Sequence, residues 1–129
     1  MQTCPPSRRT VRFSELSEPR QTLIRLCQSI NFGSLRLLEI REREPVFDPT
    51  PVLLVDIKLD GAATARGEMD LHDFVLRDEV VCLMDHLDRL VDSTIECLDV
   101  HAGIPRRARF ILSPAAHSDF LRLSIRSSR

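Results

Sequence analysis

The chain has 129 residues, of which 43% are hydrophobic and 29% are charged, and its net charge is −1. This length suits one domain with a packed core, and the apolar content excludes general disorder. No uninterrupted apolar run is longer than five residues, which excludes a membrane-spanning helix of about 20 apolar residues. Residues 1 to 10 also lack the apolar stretch of a secretory signal, so we expect a cytoplasmic protein without membrane contact.

The charge is distributed unevenly along the chain. Residues 1 to 20 carry a net charge of +2, residues 21 to 100 carry −8, and residues 101 to 129 carry +5. A protein that binds polyanions with its whole surface would be basic throughout. Any contact with nucleic acid is therefore expected at the arginine-rich ends.

The four cysteines are dispersed at Cys4, Cys27, Cys82 and Cys97 and form no C-x-x-C pair. This spacing provides neither a zinc ribbon nor a thioredoxin-type redox motif. Free thiols in a reducing cytosol are the expectation that follows.

The first predicted element follows a leader. Residues 1–17, with two prolines and many Ser, Thr and Arg, are predicted to be a flexible leader. Apolar residues then recur at helical spacing and predict a helix over residues 19–31, which Gly33 ends. The members of this apolar stripe are Leu23, Ile24, Leu26, Cys27 and Ile30.

Two strands and a loop are predicted next. The short apolar run at residues 34–40 favours a strand, and the polar residues 41–44 make a turn. A proline-rich break follows. Residues 52–59 begin with an apolar run and then alternate apolar and polar side chains, a pattern that predicts a second strand. Residues 60–70 are rich in glycine and alanine and predict a flexible loop.

The clearest helix is predicted over residues 73–91, because its apolar residues fall within a sector of about 120°. Strands are predicted at residues 94–100 and 106–112. The arginine-rich tail, residues 113–129, alternates apolar and polar residues and could form an edge strand.

An internal repeat appears when residues 23–47 are laid over residues 83–107 without a gap. Leu23 then matches Leu83, and Pro45 matches Pro105. Any amphipathic helix followed by a strand gives some similarity of this kind, but the matched proline and the equal turn lengths favour two helix-strand-strand units. We therefore predict one α+β domain over residues 18–112, with two layers and both helices on one face of an antiparallel sheet.

The segment Ser29-Ile30-Asn31-Phe32-Gly33-Ser34 and the strand after it resemble the small bacterial domains of the YezD-like family. In that family a helix ends in an aromatic-Gly-Ser step and continues into a hairpin. The resemblance covers residues 23–47. It differs in the hairpin turn, where the family has Gly and this chain has Arg43, although the second copy supplies Gly103. The resemblance implies the helix-hairpin fold and no assigned activity.

No residue pattern indicates a catalytic, cofactor or metal site. His72 stands beside Asp70 and Asp73, a pattern that could bind a metal or form a base with its carboxylate. Because the group precedes the second predicted helix, helix capping is the favoured interpretation. Nucleotide-binding loops and the G-x-S-x-G motif are absent from the sequence. We therefore expect no cofactor, no metal and no enzymatic activity.

Two charged surfaces are candidates for binding. An acidic face is expected on the second helix, and a basic patch is expected toward the C-terminus, where it could contact anions or nucleic acid. The sequence favours a protein-interaction or self-association module, and the alternative is weak nucleic-acid binding through the arginine-rich end. The acidic candidates are Asp78, Asp85, Asp88 and Asp92, and the basic candidates are Arg106, Arg107, Arg109, Arg122 and Arg126.

Overall fold

A computed structural model of the protein describes residues 10–60 and 71–112. It contains two helices, five strands and a short 3-10 turn at Phe13–Glu15. The elements in chain order are α1 (Glu18–Ile30), β1 (Phe32–Arg41), β2 (Glu44–Val46), β3 (Val52–Val55), α2 (Asp78–Leu90), β4 (Ser93–His101) and β5 (Ile104–Ile111).

Helix α1 begins and ends where its sequence provides caps. The Ser17 hydroxyl accepts a hydrogen bond from the Arg20 backbone N–H at 3.4 Å, and Pro19 occupies the first turn. The helix ends at Asn31, which has a positive φ of 63°. Gly33, which the sequence indicated as the stop, lies instead inside β1.

The domain has the predicted α+β fold, and its sheet is antiparallel. Its order is β2-β1-β4-β5, and β3 also pairs with β1. β2 pairs with the end of β1 around Ile40, whereas β3 pairs with its beginning, from Gly33 to Arg36. Two short strands therefore share one edge of the sheet, and β5 forms the other edge.

Both helices pack on the same face of this sheet. Leu23 and Cys27 of α1 and Leu87 of α2 belong to one buried cluster with Leu35 and Leu98 of the central strands. The opposite face carries no helix among the described residues, and we call it the open face. The two layers predicted from the sequence are therefore present.

The order helix-strand-strand occurs twice, in α1-β1-β2 and in α2-β4-β5. Asn31 and Val91, sixty residues apart, end the two helices with nearly equal φ values of 63° and 61°. The two hairpin turns, at residues 42–43 and 102–103, also have positive φ at both positions. The second strands differ in length, however, and β3 has no counterpart in the second unit within the part of the chain that the structure describes. The internal repeat itself remains a prediction.

Part of the predicted leader is not a leader. Phe13 is buried in the core and stacks on Phe74 at 4.9 Å between ring centroids. The Phe13 N–H donates to the Phe74 carbonyl at 2.8 Å, and Arg12 forms an isolated bridge with Val75. Residues 11–16 therefore belong to the domain, because an aromatic side chain among polar residues provides one strong anchor.

Helix α2 starts five residues later than its apolar pattern predicted. Asp73 does not cap it, since this carboxylate accepts hydrogen bonds from Arg12 Nε at 2.7 Å and from the Ser14 N–H at 2.9 Å. These bonds lower the pKa of Asp73 to about 2. Residues 73–76 are held extended against the N-terminal segment, and that pairing overrides their helical periodicity.

The strand expected at 52–59 ends at Val55, and Leu59 beyond it is 94% exposed. The loop at residues 61–70 and the tail at residues 113–129 lie outside the described residues, so the predicted edge strand in that tail stays a prediction.

Candidate functional site

The open face gathers three arginines from two strands around the middle of β4. Antiparallel register places Arg36 of β1 and Arg109 of β5 on either side of Cys97. Arg107 lies opposite Asp99 in the same register. Because cross-strand neighbours share a face, all three guanidinium groups project from the side without helices. We call Arg36, Arg107 and Arg109 the arginine cluster.

The cluster lines a shallow cleft with a volume of about 290 Å³. Its cations are only partly neutralised. Arg109 Nη1 lies 3.4 Å from a carboxylate oxygen of Glu96, in an exposed pair of small energetic weight. Neither Arg36 nor Arg107 forms an ion pair with any residue that the structure describes, and both side chains are exposed. The remaining carboxylate in the cleft, Asp99, accepts a hydrogen bond from the Cys97 thiol at 3.4 Å.

An aromatic pair lies at one end of the same face. Phe32 is opposite His101 in the β1-β4 register, and their ring centroids are 6.3 Å apart. Phe32 is 47% exposed. Since Phe32, Ser34 and Arg36 are spaced by two residues along β1, they share the open face. Phe32 and Arg36 are therefore separated by about 13 Å along the strand.

The β3 edge is the second notable surface. Its four residues, Val52 to Val55, are each between 42% and 51% exposed. Leu53 shares the helix side with the buried Leu35, whereas Leu54 shares the open face with Ser34. Among the described residues no strand pairs with the outer side of β3. An uncharged edge of this kind presents free backbone groups and apolar side chains on both faces.

The structure separates the basic residues predicted from the sequence. Arg107 and Arg109 share the open face, as their spacing indicated. Arg106 lies on the helix side and contacts a carboxylate oxygen of Glu79 in α2 at 2.6 Å. Adjacent residues of a strand point to opposite faces, so Arg106 faces away from Arg107. The β4-β5 register is also irregular at this place, between Asp99 and Val100. Arg122 and Arg126 lie outside the described residues.

At least two of the four acidic candidates contact other residues of the chain. Asp88 pairs with Arg20 at 2.5 Å. Asp92 accepts the backbone N–H of Glu42 at 2.8 Å. Asp78 and Asp85 are exposed. At least half of this set therefore has a structural role, because Asp88 connects α2 to α1 and Asp92, just beyond the end of α2, holds the β1-β2 turn.

The described cysteines are either free or disulfide-bonded. Cys27 is buried and free, and burial raises its pKa to about 12. Cys97 is also free, whereas Cys82 is disulfide-bonded, so the expectation of free thiols does not hold for Cys82.

Residues 10–60 and 71–112 contain no group of three or more side chains suited to a metal ion. They also contain no helix with the length and apolar character needed to cross a bilayer.

Sequence reasoning missed Arg36, Phe32 and the β3 edge. Each carries a local signal, since an arginine or an exposed aromatic at alternate positions of a strand marks one face. Assigning that face required the register of β1 against β4, which depends on contacts between residues about sixty positions apart.

Comparison of the chain with protein-family models, with curated proteins and with solved structures found no match. The resemblance to YezD-like domains therefore stays an expectation from the sequence.

Proposed function

We propose that this chain is a non-enzymatic protein that acts as a self-association module, pairing through its β3 edge with the same edge of a second copy. The observation that carries the proposal is the run Val52 to Val55, four exposed apolar residues on an edge without a charge. Folded proteins usually protect such edges with charges, prolines or bulges. Here Pro51 precedes the strand, but no protecting residue lies within it.

A second copy is a chemically matched partner for this strand. In antiparallel pairing centred on Leu54, that residue faces its own copy on the open face. Leu53 then faces Val55 of the second copy on the helix side. The pairing is isologous, so a single two-fold axis closes it as a dimer. It buries apolar side chains without placing like charges opposite one another.

The opposite edge supports the choice of β3. β5 presents the exposed residues Arg106, Arg107 and Arg109, and charged residues of one sign disfavour pairing with an identical strand. β3 and β5 thus differ in chemistry, and β3 is better suited to self-pairing than β5.

The test is size-exclusion chromatography with light scattering on the full chain over a dilution series. The chain has a mass of 14.7 kDa, and we expect the measured mass to approach twice that value as concentration rises. Leu54→Lys places two cations directly opposite in the dimer and should give monomers at every concentration. Ile111→Lys, at a similarly exposed position on β5, is the matched control and should still dimerise. A monomeric wild type, or equal effects of both substitutions, would refute the proposal.

A further inference from the structure

We infer that the open face binds single-stranded nucleic acid, with the arginine cluster contacting phosphates and Phe32 stacking on a base. This inference concerns a different surface from the β3 edge and does not depend on dimerisation.

The cluster has charge complementarity to a phosphate backbone. Arg36 and Arg107 are exposed and lack ion-pair partners among the described residues, and Arg109 has only the weak exposed pair with Glu96. Arginine presents a planar fork of donors that suits phosphate oxygens. Three such groups spread over one sheet face match an extended strand better than a single small anion.

The aromatic pair distinguishes nucleic acid from other polyanions. Single-strand binding surfaces combine a basic groove with aromatic side chains on which bases stack. Phe32 offers an exposed ring on the same face as the cluster, and His101 lies beside it at 6.3 Å. An acidic peptide would use the arginines equally well, but it would gain nothing from stacking on Phe32.

The carboxylates of Glu96 and Asp99 limit the strength of this interaction. They lie within the cleft and repel phosphates at close range. We therefore expect a dissociation constant in the range of non-specific binding, roughly 10⁻⁴ to 10⁻⁶ M at physiological salt.

The experiment is fluorescence anisotropy with the full chain and a labelled single strand of about 12 nucleotides, a length within the usual site sizes. Each phosphate contact contributes about −0.7 to the log-log salt slope. With three contacts, wild-type affinity should fall roughly 20-fold between about 50 and 200 mM salt, and for Arg107→Ala it should fall only about sevenfold. Arg106→Ala is the matched control. Arg106 is next to Arg107 in the chain, but its side chain lies on the helix side, so its removal should leave the slope unchanged.

The stacking contact is tested separately at Phe32. Phe32→Leu keeps an apolar side chain but removes the ring, and affinity should fall about tenfold. Phe32→Tyr retains a ring and should restore binding. Circular dichroism checks that each variant is folded.

Three outcomes would overturn the inference. The first is an equal change of slope in Arg106→Ala and Arg107→Ala, which would indicate attraction by net charge alone. The second is unchanged affinity in Phe32→Leu. The third is equally tight binding of an oligoglutamate with the same number of charges, which would make the face a site for acidic peptides.

Discussion

Arg20 shows how one side chain can connect three elements. Its guanidinium is largely buried and bonds to Asp88 of α2 at 2.5 Å and to the Arg43 carbonyl of the β1-β2 turn at 2.8 Å. Glu44 lies 3.5 Å away. A hydrogen bond to a charged group contributes about 1.5 to 3 kcal/mol. The position of Arg20 therefore fixes how the hairpin sits on the helices.

We predict that Arg20→Met lowers the free energy of unfolding by about 2 kcal/mol, because methionine keeps the apolar stem but removes every polar contact. Urea denaturation followed by circular dichroism measures the change. Arg89→Met is the control, since Arg89 is exposed on α2, and a surface substitution should stay within about 0.5 kcal/mol. Equal stabilities of the two variants would show that the Arg20 contacts contribute nothing.

Asp73 predicts a pH dependence at the N-terminal segment. The hydrogen bonds from Arg12 and the Ser14 N–H lower the pKa of Asp73 from 3.8 to about 2. A carboxyl group with a lowered folded-state pKa stabilises the fold above its unfolded pKa, and this contribution is lost as the pH falls toward the folded value. The stability difference between wild type and Asp73→Asn should therefore be constant above about pH 5 and shrink between about pH 4 and 2.

The measurement is urea denaturation of both proteins at a series of pH values. The charged partner Arg12 provides a second comparison, because Arg12→Met should remove most of the same pH dependence. A stability difference that stays constant down to pH 2 would contradict the assignment of the lowered pKa to these contacts.

At the scale of elements, the attachment of β3 to β1 depends on a glycine. Gly33 has a φ of 152°, and a Cβ atom built there would overlap the Leu54 carbonyl oxygen. Gly33→Ala should therefore separate β3 from β1 and reduce the free energy of unfolding by about 2 kcal/mol. Hydrogen exchange should become faster at β3 amides while the amides of β4 stay protected. Ser34→Ala is the neighbouring control, and unchanged exchange at β3 in Gly33→Ala would contradict the prediction.

The elements were predictable where local periodicity decides the structure. The stripe of α1 and the centre of α2 follow helical spacing, and β1, β4 and β5 lie close to their predicted positions. The predicted start of α2 was wrong, because Val75 pairs with Arg12 and is held extended. These two residues are 63 positions apart in the chain. Such long-range pairing has no signature in a local window.

The site was less predictable than the elements. Arg107 and Arg109 could be placed on one face from their spacing alone. The same alternation places Arg106 on the opposite face, where it contacts Glu79 of α2. Arg36 joins the cluster only through pairing of β1 with β4, so its role required the folded structure.

At the scale of the whole molecule, the charges are distributed unevenly between the two sides of the sheet. The helix side carries the carboxylates of α2, among them Asp78, Asp85 and Asp88, while the open face carries the three arginines of the cluster beside Glu96 and Asp99. The net charge of −8 over residues 21–100 therefore understates the attraction that the open face can exert on an anion. Exposed charges act mainly within a Debye length of about 8 to 10 Å, so the side of the sheet matters more than the total.

Pairing through β3 would extend the sheet and place two open faces on the same side of a dimer. The two Arg36 residues would then lie three strand spacings apart across the sheet, about 14 Å, and about 13 Å apart along the strands, which gives a separation of about 20 Å. A long single strand could contact both faces at once, whereas a short one could contact only one. Linked sites of this kind bind a long ligand more tightly without any new contact.

We therefore predict that the wild type binds a strand of about 30 nucleotides at least tenfold more tightly than one of about 6 nucleotides, at protein concentrations where the dimer forms. Leu53→Lys should remove most of this difference by preventing dimerisation. Its substituted side chain lies on the helix side, so affinity for the short strand should stay unchanged. Anisotropy titrations with both lengths, beside light scattering of the same samples, measure the effect. Loss of short-strand binding in Leu53→Lys would contradict the independence of the β3 edge and the open face, and an unchanged length dependence in a monomeric variant would exclude the two-face arrangement.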